Sequence, residues 1–118
     1  MSLASRVHRI EVAETAERVQ VLLDGEVLAD TIRALVLTEG GLPPRWYVPE
    51  EDLRGELLEP SEHTTRCPWK GQAIYRSARV GAHVEEAVAW CYPEPKRQVA
   101  AIAGRWAFYQ ERVEIRRT

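Results

Sequence analysis

The stretch His83-Val84-Glu85-Glu86-Ala87-Val88-Ala89-Trp90-Cys91-Tyr92 admits two readings, and the choice between them decides the fold. As a helix it aligns Val84, Ala87, Val88 and Cys91. As a strand it sets Val84, Val88, Trp90 and Tyr92 on one face, with Ala87, Ala89 and Cys91 on the other. The run is short, Gly81 precedes it, and Pro93 and Pro95 follow. Those boundaries favour a strand.

Working outward, the same period of two recurs along the chain. Ile10 and Val12 alternate with Arg9 and Glu11. Val19, Val21 and Leu23 alternate with Arg18, Gln20 and Leu22, and Asp24-Gly25 then signals a hairpin that continues through Val27 and Ala29. Ala34 to Thr38, Trp46 to Val48 and Gln72 to Val80 read as further strands. Trp106 to Tyr109 and Val113 to Ile115 read as a closing hairpin. Pro49-Glu50-Glu51-Asp52 reads as the start of one short helix, its acids in the first turn where the dipole favours them. Pro60-Ser61 reads as a breaker. About ten short strands and one helix predict a mostly-β chain: a small single-domain barrel, or a tent-like pair of curved antiparallel sheets. The predicted domain spans residues 1–118, with its core at about 9–117.

The chain has 118 residues, 16 basic and 18 acidic, for a formal net charge of −2. That balance supports no nucleic-acid or anionic-membrane partner. No apolar run approaches the ~20 residues that span a bilayer, and the opening MSLASRVHRI lacks the apolar stretch of a secretory leader. Cys67 and Cys91 are then expected as free thiols in a reducing cytoplasm. Residues 96–118 collect Lys96, Arg97, Arg105, Arg112, Arg116 and Arg117 against Glu111 and Glu114, which reads as a solvated strand face.

Thr64-Thr65-Arg66-Cys67-Pro68-Trp69-Lys70-Gly71-Gln72-Ala73-Ile74-Tyr75 is the densest stretch chemically. Pro68 keeps Cys67 extended, and Gly71 permits a positive φ. Lys70 is thereby held on a tight corner between two strands. A cation so placed suits an anionic group, with Arg66 or Arg76 to assist. Glu39, at the end of an apolar strand and before Gly40, is a carboxylate able to pair with Arg33 or Lys70, or to meet a ligand. Cys67, three residues from an ammonium, is the candidate nucleophile, and His63 and His83 are its possible bases. Cys67, Cys91, His63 and His83 contain no C-x-x-C pair, so no metal site and no cofactor are predicted. Trp46, Tyr47, Tyr75, Trp90, Tyr92, Trp106 and Tyr109 are many aromatics for this length. Most belong to the core; any that line a cavity suit a planar or sugar-like ligand.

Several of these elements together resemble the domain of unknown function family numbered 427, sometimes labelled nucleotidyltransferase-like. The resemblance runs from Val19 to Val113. It includes Val27-Leu28-Ala29-Asp30-Thr31, Glu39, Trp46-Tyr47-Val48-Pro49 with Asp52, Thr65, and Cys67-Pro68-Trp69-Lys70-Gly71-Gln72-Ala73-Ile74-Tyr75. Trp90-Cys91-Tyr92 with Pro95, and Ile102-Ala103-Gly104 with Ala107-Phe108-Tyr109, complete it. The resemblance implies a small mostly-β domain and no agreed activity. The nucleotidyltransferase label finds no support in the residues: there is no D-x-D pair, and Gly40-Gly41 leads into Leu42-Pro43-Pro44 instead of a helix.

Three functions follow as expectations. The first is a binding module for a small polar or anionic metabolite, with Lys70 and Glu39 beside Tyr47, Tyr75, Trp90 and Tyr92. The second is a small enzyme using Cys67 or Lys70. The third is a homodimeric structural or interaction module pairing strands or aromatic surface.

Overall fold

Ten strands are formed among the described residues, 9–118 of a computed structural model. They are β1 (Ile10–Glu14), β2 (Val19–Leu23), β3 (Glu26–Thr31), β4 (Leu35–Glu39), β5 (Arg45–Tyr47), β6 (Leu58–Cys67), β7 (Gly71–Val80), β8 (His83–Cys91), β9 (Trp106–Phe108) and β10 (Glu114–Arg117). Residues 1–8, where the leader reading falls, lie outside the described part. No helix among the described residues is long and apolar enough to cross a membrane.

The strands make three antiparallel sheets, ordered β1-β4-β5, β10-β2-β3 and β6-β7-β8-β9. The mostly-β expectation holds, but the sheets do not close into a barrel, and there are three where a pair was expected. Single bridges link β9 to the residue after β5, and β3 to the segment before β6. Val48 and Trp106 exchange two backbone bonds of 2.7 and 2.8 Å, and Ala29 meets Leu53. The four-stranded sheet buries side chains on both faces. One face carries Ala78, Ala89 and Cys91 against Val21, Leu23 and Leu28 of the β2–β3 hairpin. The other carries Ala73, Tyr75, Trp90 and Tyr92 against Leu37 and Tyr47 of the β4–β5 hairpin. Alternation along each strand therefore feeds two cores at once.

His83–Cys91 is a strand, and its irregularity is instructive. Strict alternation puts Val88 with Trp90. The structure puts Val88 with Ala89 and Cys91 in the first core, while Ala87 and Trp90 face the second. A bulge explains this. The β7–β8 register slips between Arg76 and Ala78, and Ala87 has a φ of +49°. Buried Ser77 holds the bulge: its hydroxyl accepts from the Ala87 N–H at 2.9 Å and donates to Glu86 at 3.2 Å.

Other expectations need correction. Pro60-Ser61 does not break the chain. Both residues lie within β6, a sheet edge, where a missing N–H need not disturb a ladder. The segment after Pro49 is only a 3-10 turn, Glu50–Asp52, and two more such turns form at Gly55–Leu57 and Arg97–Ile102. Its acids do not cap a helix: Glu50 pairs with Arg76, Glu51 and Asp52 pair with Arg33, and Asp52 also accepts from the Thr31 hydroxyl at 2.7 Å. The last two strands are not a hairpin, because β9 pairs with β8 and β10 with β2. The Asp24-Gly25 hairpin forms as read, with φ of +50° and +80°.

His83, at the start of β8, lies in a carboxylate clamp. Its Nδ1 is 2.6 Å from Asp24 and its Nε2 is 2.9 Å from Glu85. Its pKa is raised, first by the bond to Asp24 and then by that to Glu85. A raised folded-state pKa stabilises most below the unfolded value, about 6.5, and the contribution fades as pH climbs through the folded value. Urea unfolding of wild type and His83→Gln between pH 5.5 and 9 is expected to show a wild-type advantage that shrinks with rising pH. A pH-independent difference would mean that the imidazolium form is not what the clamp holds.

Candidate functional site

Both walls of one cleft come from the period-two stripes that build the second core. On β4, Leu35, Leu37 and Glu39 share a face, so the polar Glu39 ends an apolar row. Leu37 pairs with Arg45 and Leu35 with Tyr47 across the β4–β5 ladder, which brings Arg45 and Tyr47 onto that face. The opposite wall comes from β7 and β8, where Tyr75 pairs with Trp90 and Tyr92 follows two residues on. The corner between β6 and β7 carries Lys70 toward Glu39. Gly71, at φ +116°, makes that corner tight.

The cavity between the walls measures about 200 Å³ and is lined by Glu39, Arg45, Tyr47, Lys70, Tyr75, Trp90, Tyr92 and Tyr109, with Leu37, Leu42 and Pro43. Every side chain singled out from sequence as ligand-binding is in this set. Leu42 stands at the rim, 63% exposed. Arg45 is not among the residues that the sequence singles out, although its position two residues before Tyr47 puts it on the same strand face. Tyr109, counted only among the aromatics, lies beyond β9; its N–H donates to the Val88 carbonyl at 3.0 Å, and its ring meets that of Trp90 in the cleft, centroids 4.6 Å apart.

Lys70 Nζ donates to Glu39 Oε1 at 2.5 Å, and the two side chains are only 13% and 12% exposed. The Lys70 ammonium also lies 6.0 Å from the Tyr92 ring. Arg45 is placed differently. Its guanidinium sits 5.2 Å from the Trp90 ring and 5.9 Å from that of Tyr109, and donates to Gln110 at 2.9 Å. No carboxylate among the described residues lies within ion-pair distance of it. The wall behind is hydrogen-bonded. Trp90 Nε1 donates to the Tyr47 hydroxyl at 3.0 Å, and the Tyr75 and Thr65 hydroxyls are hydrogen-bonded to each other at 2.8 Å. Burial pushes the phenols of Tyr47 and Tyr92 far up, and that of Tyr109 up to about 12. All three are neutral at physiological pH and keep their O–H donors.

Arg66 and Arg76 do not join Lys70. Arg76 makes two bonds to Glu50, at 2.7 and 3.1 Å, and stacks 4.1 Å from the Trp106 ring. Trp106 Nε1 donates to the same carboxylate, and these bonds hold Glu50 below the usual carboxylate range. Arg66 lines a separate groove with Gln72, Ile74 and Lys96. Cys67 pairs in register with Gly71 and packs against the second core, off the cavity wall. His63 is tilted over Tyr75 at 59°, with ring centroids 4.6 Å apart, and His83 is held in its clamp. Neither imidazole hydrogen-bonds Cys67. Cys91 is buried, and desolvation pushes its thiol up to about 11. Among the described residues, no three His, Cys, Asp or Glu side chains are grouped to hold a metal.

An inter-sheet cleft with aromatic walls and a buried ion pair defines a mostly-β domain with a concave polar site between two of its sheets. The chain belongs to the family described as domain of unknown function (DUF427), whose model matches residues 11–118. No curated protein is recognisably similar to it.

Proposed function

We propose that the chain is a binding module whose inter-sheet cleft takes a small polar metabolite bearing an anionic group. The observation that carries this reading is the convergence of Arg45, Lys70 and the neutral phenols of Tyr47, Tyr92 and Tyr109 on one cavity, with Glu39 the only carboxylate among its described lining residues. Two cations against one carboxylate leave an excess positive charge. The phenols add donors that an anion accepts from without a desolvated charge of their own. The volume suits a small guest: about 200 Å³ is below the ~300–1,000 Å³ of pockets for drug-sized ligands. Trp90 and Tyr109 fix Arg45 in advance, which lowers the ordering entropy that binding must overcome.

A thermal-shift screen of small carboxylates, phosphates and neutral polyols tests the reading. At least one anion is expected to raise the wild-type midpoint. The same anion is expected to shift Arg45→Gln and Lys70→Ala by less than a third as much, each against its own baseline. Hits confined to neutral compounds, equal shifts in both variants, or no hits would count against it.

A further inference from the structure

We infer that the guest is an α-amino acid, with its carboxylate on Arg45 and its ammonium on Glu39. This rests on the binding reading above and narrows it to a chemical class.

Glu39 and Arg45 lie on one face of the β4–β5 hairpin. Leu37 faces Arg45 directly, so Glu39, two residues further on, is a diagonal neighbour of Arg45. Such neighbours have backbones about 7–8 Å apart, within reach of long side chains. Opposite charges so placed ordinarily pair, yet these two do not. Glu39 gives Oε1 to Lys70, and Arg45 is turned onto Trp90, Tyr109 and Gln110. Both charges border the same cavity, and both act on the Tyr47 hydroxyl, in opposite directions. The cleft thus presents a separated cation and anion across a small space. The complementary guest carries the reverse pair at short spacing, a carboxylate and an ammonium on one carbon.

The free valences agree. Glu39 Oε2 has no hydrogen bond from the described residues, so it is an open acceptor for an N–H donor. Lys70 stands beside Glu39 and offers its remaining donors to the second carboxylate oxygen of the guest. The guest's side chain then meets the aromatic wall of Tyr75, Trp90 and Tyr92. The excess positive charge favours acidic and neutral side chains over basic ones.

Calorimetric titration with matched pairs tests the inference: L-alanine against L-lactate, L-phenylalanine against L-phenyllactate, and L-glutamate against L-2-hydroxyglutarate. Each pair differs in the ammonium alone. For at least one pair, wild type is expected to bind the amino acid tenfold or more tightly, and L-lysine more weakly than L-glutamate. Glu39→Gln is expected to bring that ratio below threefold, and Arg45→Gln to weaken both members together. The inference is overturned if the hydroxy acid binds as tightly as the amino acid, if the preference survives Glu39→Gln, or if no amino acid binds while the thermal-shift screen yields another anion. In that last case the binding reading stands and only the ligand class falls. Silence in both experiments removes both.

Discussion

Trp90→Ala is expected to destabilise the chain by about 3–5 kcal/mol, the usual cost of deleting a large buried aromatic. Trp90 is 7% exposed and lies where the cleft meets the second core. Its ring meets Tyr47 edge-on, with centroids 6.4 Å apart at 86°, and tilts over Tyr109 at 4.6 Å. Its N–H is the donor to the Tyr47 hydroxyl, and Arg45 rests on its face. Alanine leaves a cavity, an unmet acceptor on a buried phenol and an unsupported guanidinium. Trp90→Phe separates these contributions. It retains most of the packing and loses the hydrogen bond, for an expected cost of about 1–2 kcal/mol. Urea denaturation of the three proteins reads both numbers. A loss below about 1.5 kcal/mol for Trp90→Ala would mean that the indole is not a structural element of the wall.

Gly71→Ala is expected to cost about 2–3 kcal/mol through backbone strain, with almost no change in buried apolar area. At φ +116° the position is open to glycine and hostile to any side chain. An added Cβ would also stand 3.3 Å from the Glu94 carbonyl oxygen and 3.7 Å from Pro95 Cα, both backbone atoms that move only with their segment. That segment is tied to the corner, because the Lys96 N–H donates to the Lys70 carbonyl at 2.9 Å. Relief of the strain would displace Lys70 and loosen its bond to Glu39. Weaker binding of any cleft ligand is therefore expected alongside the stability loss. Gly55→Ala is the control: its Cβ meets nothing within 4 Å and it has no positive φ, so a change within about 0.5 kcal/mol is expected. Equal effects at the two glycines would remove the strain argument.

The cleft gathers residues from four strands, a corner and the segment after β9, and its parts were unequally visible beforehand. Lys70 was legible because Pro68 and Gly71 bracket it, and their φ restrictions are local properties. Glu39 was legible because a charge closing an apolar strand stands out. Arg45 was not: its one local sign is its place two residues before Tyr47. Its role comes from the β4–β5 register and from two rings that the fold brings under it. The Pro60 misreading has the same origin. A proline breaks a central strand and is harmless on an edge, and which strand is the edge depends on sheet order.

Period-two alternation, the Asp24-Gly25 turn and the Pro68-to-Gly71 corner determined from sequence alone that this is a mostly-β chain with a rigid cation-bearing hairpin. These signals are short-range: they act through sterics and burial within a few residues. Tertiary structure alone decided that three sheets pack without closing, that the β8 bulge sends Val88 and Trp90 to different cores, and that Glu39 meets Lys70 while no described carboxylate reaches Arg45. Each of those depends on strand register and on contacts between residues dozens of positions apart. Local propensity cannot encode that information, because it holds only for the folded arrangement of the whole chain.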